Sequence, residues 1–149
     1  MNLFGMLAVS GSALTAERQR AEVVTSNMAN LETTRTPEGG PYRRQLVVFR
    51  SRRMPQFPAL LAGFGSLASG NMAARGVRVD QVIADARPPI LRYQPGHPDA
   101  DPRGYVSYPA VDPVEETADL LGAVRSYELN AAAVQSTKTM IQQSLDLLR

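Results

Sequence analysis

Leu120-Leu121-Gly122-Ala123-Val124-Arg125-Ser126-Tyr127-Glu128-Leu129-Asn130-Ala131-Ala132-Ala133-Val134, read in steps of three and four, decides the fold. Leu120, Val124, Tyr127, Ala131 and Val134 fall on one stripe, and Lys138, Ile141, Leu145 and Leu148 continue it. At the front of the chain Leu7, Ser10, Leu14, Glu17, Ala21, Val24, Met28 and Leu31 repeat the alternation. Such a stripe suits a helix that packs against another helix rather than against a broad core. Everything with strand character lies between the two stripes. The spacing therefore predicts an α+β chain, with paired long terminal helices of coiled-coil character and a small β-rich middle. Fixing a lone helix costs about 1–2 kcal/mol of backbone freedom per residue. A single narrow stripe returns little of that until a neighbour covers it, so the arms are expected to be marginal in the free monomer and to order on assembly.

Working outward from the arms, the first helix is expected over about Leu3 to Asn30. Thr33, Thr34, Thr36, Pro37, Gly39, Gly40 and Pro41 then forbid its continuation. Strands are expected over Tyr42–Arg52, Val77–Ala84, Ile90–Tyr93 and Tyr105–Tyr108, the last two forming a hairpin around a turn rich in proline, glycine and aspartate. Asp112 can cap the second helix, Pro113 fits its first position, and Glu115 and Glu116 suit the positive end of its dipole. The expected divisions are 1–36 for the N-terminal arm and exit motif, 37–110 for the middle with a flexible insertion at about 51–75, and 111–149 for the C-terminal arm.

With no cysteine among 149 residues, a disulfide framework and a thiolate metal site are both excluded. The net charge of +2 hides an asymmetry: residues 1–75 hold nine arginines against four acids, and residues 76–149 hold seven basic residues against ten acids. Arginine forks suit carboxylates in partly desolvated contacts, so a basic face meeting an acidic one on a neighbouring subunit is one reading and a compositional bias the other. Residues 1–16 are apolar, but no basic residue precedes them and Leu14 stands where signal peptidase wants a small side chain, so a cleaved signal peptide is not expected. The uncharged run Met54–Ala74 is too broken by proline and glycine to be expected to span a bilayer.

Catalysis has no visible machinery. His97, the only histidine, lies in Pro95-Gly96-His97-Pro98-Asp99-Ala100-Asp101; these side chains can be drawn as a metal loop, but the prolines argue for a rigid turn in which aspartates cap backbone amides. No nucleophile–histidine pairing and no glycine-rich phosphate loop is present, so no cofactor, metal or small-molecule substrate is expected. Arg43, Arg44, Arg50, Arg52 and Arg53, interleaved with Tyr42 and Phe49, leave one alternative: a self-contained helical hairpin and sheet that binds nucleic acid through this cluster.

The segment Ser26-Asn27-Met28-Ala29-Asn30-Leu31-Glu32-Thr33-Thr34 resembles the signature that ends the N-terminal helix in the axial rod and hook proteins of the bacterial flagellum. Three further stretches extend the resemblance to a proximal-rod subunit. They are Thr34-Arg35-Thr36-Pro37-Glu38-Gly39-Gly40-Pro41-Tyr42-Arg43-Arg44, then Tyr93 to Asp101 followed by Gly104-Tyr105-Val106, and Val114-Glu115-Glu116 followed by Ala123 to Asn130. The resemblance implies a non-enzymatic structural protein of the basal body. It would be exported by the flagellar type III apparatus without a cleaved signal, and would polymerise with its own copies and sister rod subunits into the periplasmic drive shaft. The terminal helices would then form an inner layer around the export channel, with no transmembrane segment and no nucleic-acid partner.

Overall fold

A computed structural model describes residues 3–53 and 75–146. Helix α1 (Leu3–Ala29) is followed by β1 (Gln45–Arg53), β2 (Arg75–Ala84), β3 (Ile90–Tyr93), β4 (Tyr105–Tyr108) and α2 (Pro113–Asp146). Two long helices thus enclose a β-rich middle, as the two stripes predict. The strands form two separate two-stranded sheets, β1 with β2 and β3 with β4. The second is antiparallel, with Ile90 opposite Tyr108 and Tyr93 opposite Tyr105. The edges of the insertion expected at 51–75 are strand, since β1 reaches Arg53 and β2 begins at Arg75; the rest of it, like Leu148, lies outside the described residues.

Local chemistry explains the boundaries. The Asn30 side-chain amide donates to the Ser26 carbonyl at 2.9 Å, adding a second bond to a carbonyl that also takes the Asn30 backbone amide at 3.2 Å where α1 ends. The chain then turns through Thr36–Gly40, where the Thr36 and Gly39 amides donate to the Gly40 and Thr36 carbonyls and both glycines have positive φ. At the start of α2 the Asp112 carboxylate accepts from the Val114 amide at 2.9 Å, the N-cap bond expected of it.

The chain divides into two compact units. One holds residues 1–18, 49–80 and 124–149, and there the Val77 amide donates to the Ser12 hydroxyl at 3.0 Å. The other holds residues 19–48 and 81–123 and contains most of the buried side chains: Val24, Asn27, Arg44, Val106, Tyr108, Val111, Glu116 and Ala123. Among the described residues, three of the four largest fully buried side chains are Glu116, Asn27 and Thr137. A polar interior of this kind holds only if its hydrogen bonds are complete.

Candidate functional site

Asn27 sits in the last turn of α1 with 1% of its surface exposed. Its amide nitrogen donates to the Gln45 carbonyl at 2.9 Å and to Glu116 Oε2 at 3.0 Å. Its amide oxygen accepts from the Gln45 backbone amide and from the Tyr42 hydroxyl, each at 2.9 Å. Both donors and both acceptor positions are filled. Toward Gln45 the side chain behaves like a neighbouring strand, pairing with the N–H and C=O that open β1.

Glu116, in the first turn of α2, is completely buried, and its other oxygen accepts from Arg44 Nε. The Arg44 fork continues to Glu115 at 3.1 Å and Asp119 at 3.4 Å, and Arg20 from α1 reaches Asp119 at 2.9 Å. Burial works against the Arg44 charge, but its hydrogen bond to Glu116 and the charges of Glu116 and Glu115 outweigh that and hold its pKa above the ordinary value. The basic front and acidic back of the chain therefore meet inside one molecule. A single node joins α1, the start of β1 and α2. Asn27, Tyr42, Arg44 and Glu116 all belong to the quoted motifs, but the burial of Glu116 had no periodic signal to announce it.

The other motif residues form the surrounding turns. Thr33 donates to the Asn30 side chain at 3.1 Å, and Thr34 donates to Asp99 at 2.8 Å, tying the exit of α1 to the β3–β4 turn. In that turn the Asp99 amide donates to His97 Nδ1, and Asp101 accepts from the Arg103 and Tyr105 amides at 2.9 Å. The Tyr105 amide, chiefly, and the Arg103 contacts together pull the Asp101 carboxyl below its usual range against the opposing effect of burial. Among the described residues, no group of three or more His, Asp or Glu side chains is arranged to hold a metal ion. Gly104 has a φ of 82°, and a Cβ there would stand 2.9 Å from the Tyr93 ring. Pro37, Gly39, Gly40, Arg43, Pro95, Gly96, Pro98 and Tyr105 are exposed, and Ser26 is half-buried.

The arginine cluster is divided. Arg44 is buried, Arg50 pairs with Asp80 at 3.1 Å, and Arg43 and Arg52 are exposed. These placements do not favour the nucleic-acid alternative.

The whole expected N-terminal stripe is sheltered: Val24 is buried, and Leu7, Leu14, Ala21 and Met28 on α1 and Leu31 just beyond it are half-buried. Along α2 the sheltered row runs through Glu116, Ala123, Asn130 and Thr137, joined by Leu120, Val134 and Ile141. The other half of the expected stripe faces outward, with Val124 44% and Leu145 60% exposed and Ala131 and Tyr127 exposed too. Leu121 and Leu129 also stand in solvent. No helix among the described residues is long and apolar enough to cross a membrane.

A family model described as flagella basal body rod protein matches residues 7–35, which contain the α1 stripe and the Asn27 motif. A second, described as flagellar basal body rod FlgEFG protein C-terminal, matches residues 103–147. The FlgC flagellar basal-body rod protein of Bacillus subtilis is 43% identical over 99% of both chains. The chain belongs to the FlgC flagellar rod family. FlgC from Borreliella burgdorferi is 39% identical across 100% of this chain and 99% of its own, and FlgC from Escherichia coli O6:H1 is 37% identical across 99% and 98%. These FlgC relatives align along nearly the whole chain, both arms and the polar node included.

Proposed function

We propose that the chain is a structural subunit of the proximal flagellar rod, polymerising through its terminal helices with copies of itself and with sister rod subunits. The assembled helices enclose the export channel and carry torque, and the chain reaches its place through the flagellar type III apparatus without a cleaved signal. It performs no catalysis. The supporting observation is the outward apolar row of α2: Val124, Tyr127 and Leu145 are large, exposed and spaced for a helical neighbour. Full-length kinship with FlgC rod proteins supplies the context. On this reading the arms are residues 1–36 and 111–149, and 37–110 is the β-rich middle.

The test is complementation of a motile host that lacks its own copy. Leu14→Asp and Ile141→Asp place a charge on half-buried seam positions and are expected to leave export into the medium intact while removing the protein from purified basal bodies. Normal swimming by either variant would refute assembly through the arms.

A further inference from the structure

The apolar residues of α2 by themselves would place that helix differently. Its expected stripe pairs the row Leu120, Tyr127, Val134 and Ile141 with the row Val124, Ala131, Lys138 and Leu145. Leu120, Val134 and Ile141 of the first row are sheltered in the structure and Tyr127 is not, and their sheltered companions are Glu116, Ala123, Asn130 and Thr137. At 3.6 residues per turn, exchanging one companion row for the other rotates the inward face by about 50°. The observed setting shelters a carboxylate, an alanine, an amide and a hydroxyl while exposing Val124 and Leu145. Burial of apolar area favours the opposite choice. Something else holds the helix where it is.

We propose that the Asn27–Arg44–Glu116 node is an orientation lock. It selects which face the start of α2 turns inward, with Ala123 inside and Val124 next to it outside. Glu116 is the first member of the inward row and lies seven residues before Ala123. It is fully buried, with Asn27 of α1 on one oxygen and Arg44 on the other. Turning α2 by the rotation that would bury Val124 withdraws Glu116 from both partners, taking the carboxylate from the buried Arg44 Nε and leaving one Asn27 N–H unmet. Buried ion pairs contribute little net stability compared with apolar replacements of similar volume, but a broken one is heavily penalised. The node therefore discriminates between settings more than it stabilises either. Arg44 and Glu116 are positioning residues; that the exposed row then meets a neighbouring subunit rests on the rod reading above.

The experiment measures orientation in the isolated full chain, independently of rod assembly. Ala123→Cys and Val124→Cys each introduce the only thiol into a chain that has none, and each is labelled with N-ethylmaleimide under native conditions. With the node intact, position 124 should react faster than position 123 by on the order of tenfold or more. The background Arg44→Met with Glu116→Leu removes both charges together, leaving Asn27 on Gln45 and Tyr42, and Asp119 on Arg20. It should melt within a few degrees of the parent, yet bring the two labelling rates together or reverse them. Arg44→Lys keeps the charge without the fork and should narrow the ratio in part. Equal rates in the parent, an unchanged ratio in either folded variant, or loss of a cooperative melt in the paired replacement would each overturn the proposal. Failure of rod assembly alone would touch only the functional reading.

Discussion

Asn27→Ala is the sharpest probe of the polar node. The substitution removes four hydrogen bonds, two donated by the side chain to Gln45 and Glu116 and two accepted from Gln45 and Tyr42. At a net value of about 1 kcal/mol each, their combined loss approaches ~4 kcal/mol. Several partners keep some compensation. Glu116 retains Arg44, and the half-buried Tyr42 and exposed Gln45 can recruit water. Alanine also favours the helix by a few tenths of a kcal/mol over asparagine. A loss of roughly 2–3 kcal/mol remains.

The informative control is Asn30→Ala, three residues further along the same motif. Asn30 bonds only near itself, donating to Ser26 and accepting from Thr33, so its loss should be about 1 kcal/mol. For a cooperative unit of roughly 70 residues the two substitutions should lower the melting temperature by about 10–20 °C and about 4–8 °C respectively. Circular dichroism melts and urea titrations of the purified chain measure both. Equal shifts, or a loss below about 1 kcal/mol for Asn27→Ala, would show that the node is not the organising contact of its unit.

Gly104→Ala must both accept a φ of 82° and push a methyl to 2.9 Å from the Tyr93 ring, whereas Gly39→Ala meets only the backbone penalty, with no atom within 4 Å of its Cβ. Urea unfolding should show the former more destabilising than the ~1–2 kcal/mol expected of the latter, and equal losses would refute the packing argument. Asp85, held low first by its bond from the Arg87 side chain, and Asp101, held low first by the Tyr105 amide, have depressed folded-state pKa values. The unfolded chain therefore takes up their protons first as pH falls. Their stabilisation is complete above about pH 5 and disappears as pH drops through the depressed values below about 4. Melts at successive acid pH values should show Asp101→Asn flattening that decline, and an unaltered acid limb would contradict the assignment. Limited proteolysis of the free chain should cut first within 1–18 and 124–149 and spare 19–48 and 81–123; uniform protection would argue that the arms are stable without neighbours.

Much of the fold was legible because its signals are local. The β3–β4 hairpin and the α2 cap stand where Ile90–Tyr93, Tyr105–Tyr108 and Asp112-Pro113 place them. Strand β1 begins at Gln45 rather than at Tyr42. The intervening residues are held by the Tyr42 amide's bond to the Thr33 carbonyl and by Asn27, contacts no alternation pattern encodes. The Ser26–Thr34 motif was readable as a signature but not as a mechanism: that Asn27 would satisfy a strand while Asn30 caps a helix depends on what lies opposite each. Glu116, quoted in the motif Val114-Glu115-Glu116, gave no sign of its buried role. A glutamate in the first turn of a helix is usually explained by the helix dipole, and only the arrival of Arg44 from 72 positions away makes its burial tolerable.

The same contrast explains why the two arms differ. On α1 every position of the expected stripe is at least half-buried, although Ala16 and Asn27, two of its three buried residues, lie off that stripe. On α2 the expected stripe and the sheltered face share Leu120, Val134 and Ile141 and part elsewhere, because an ion pair at the N-terminus is strict about geometry while scattered apolar contacts further along are not. A subunit that must be covered by others gains from this arrangement. If hydrophobic burial alone set α2, the helix would satisfy its own best face against its own chain and leave a poorer one for a neighbour. With one charged residue fixed in the first turn, the start of the helix turns Ala123 inward and leaves Val124 exposed.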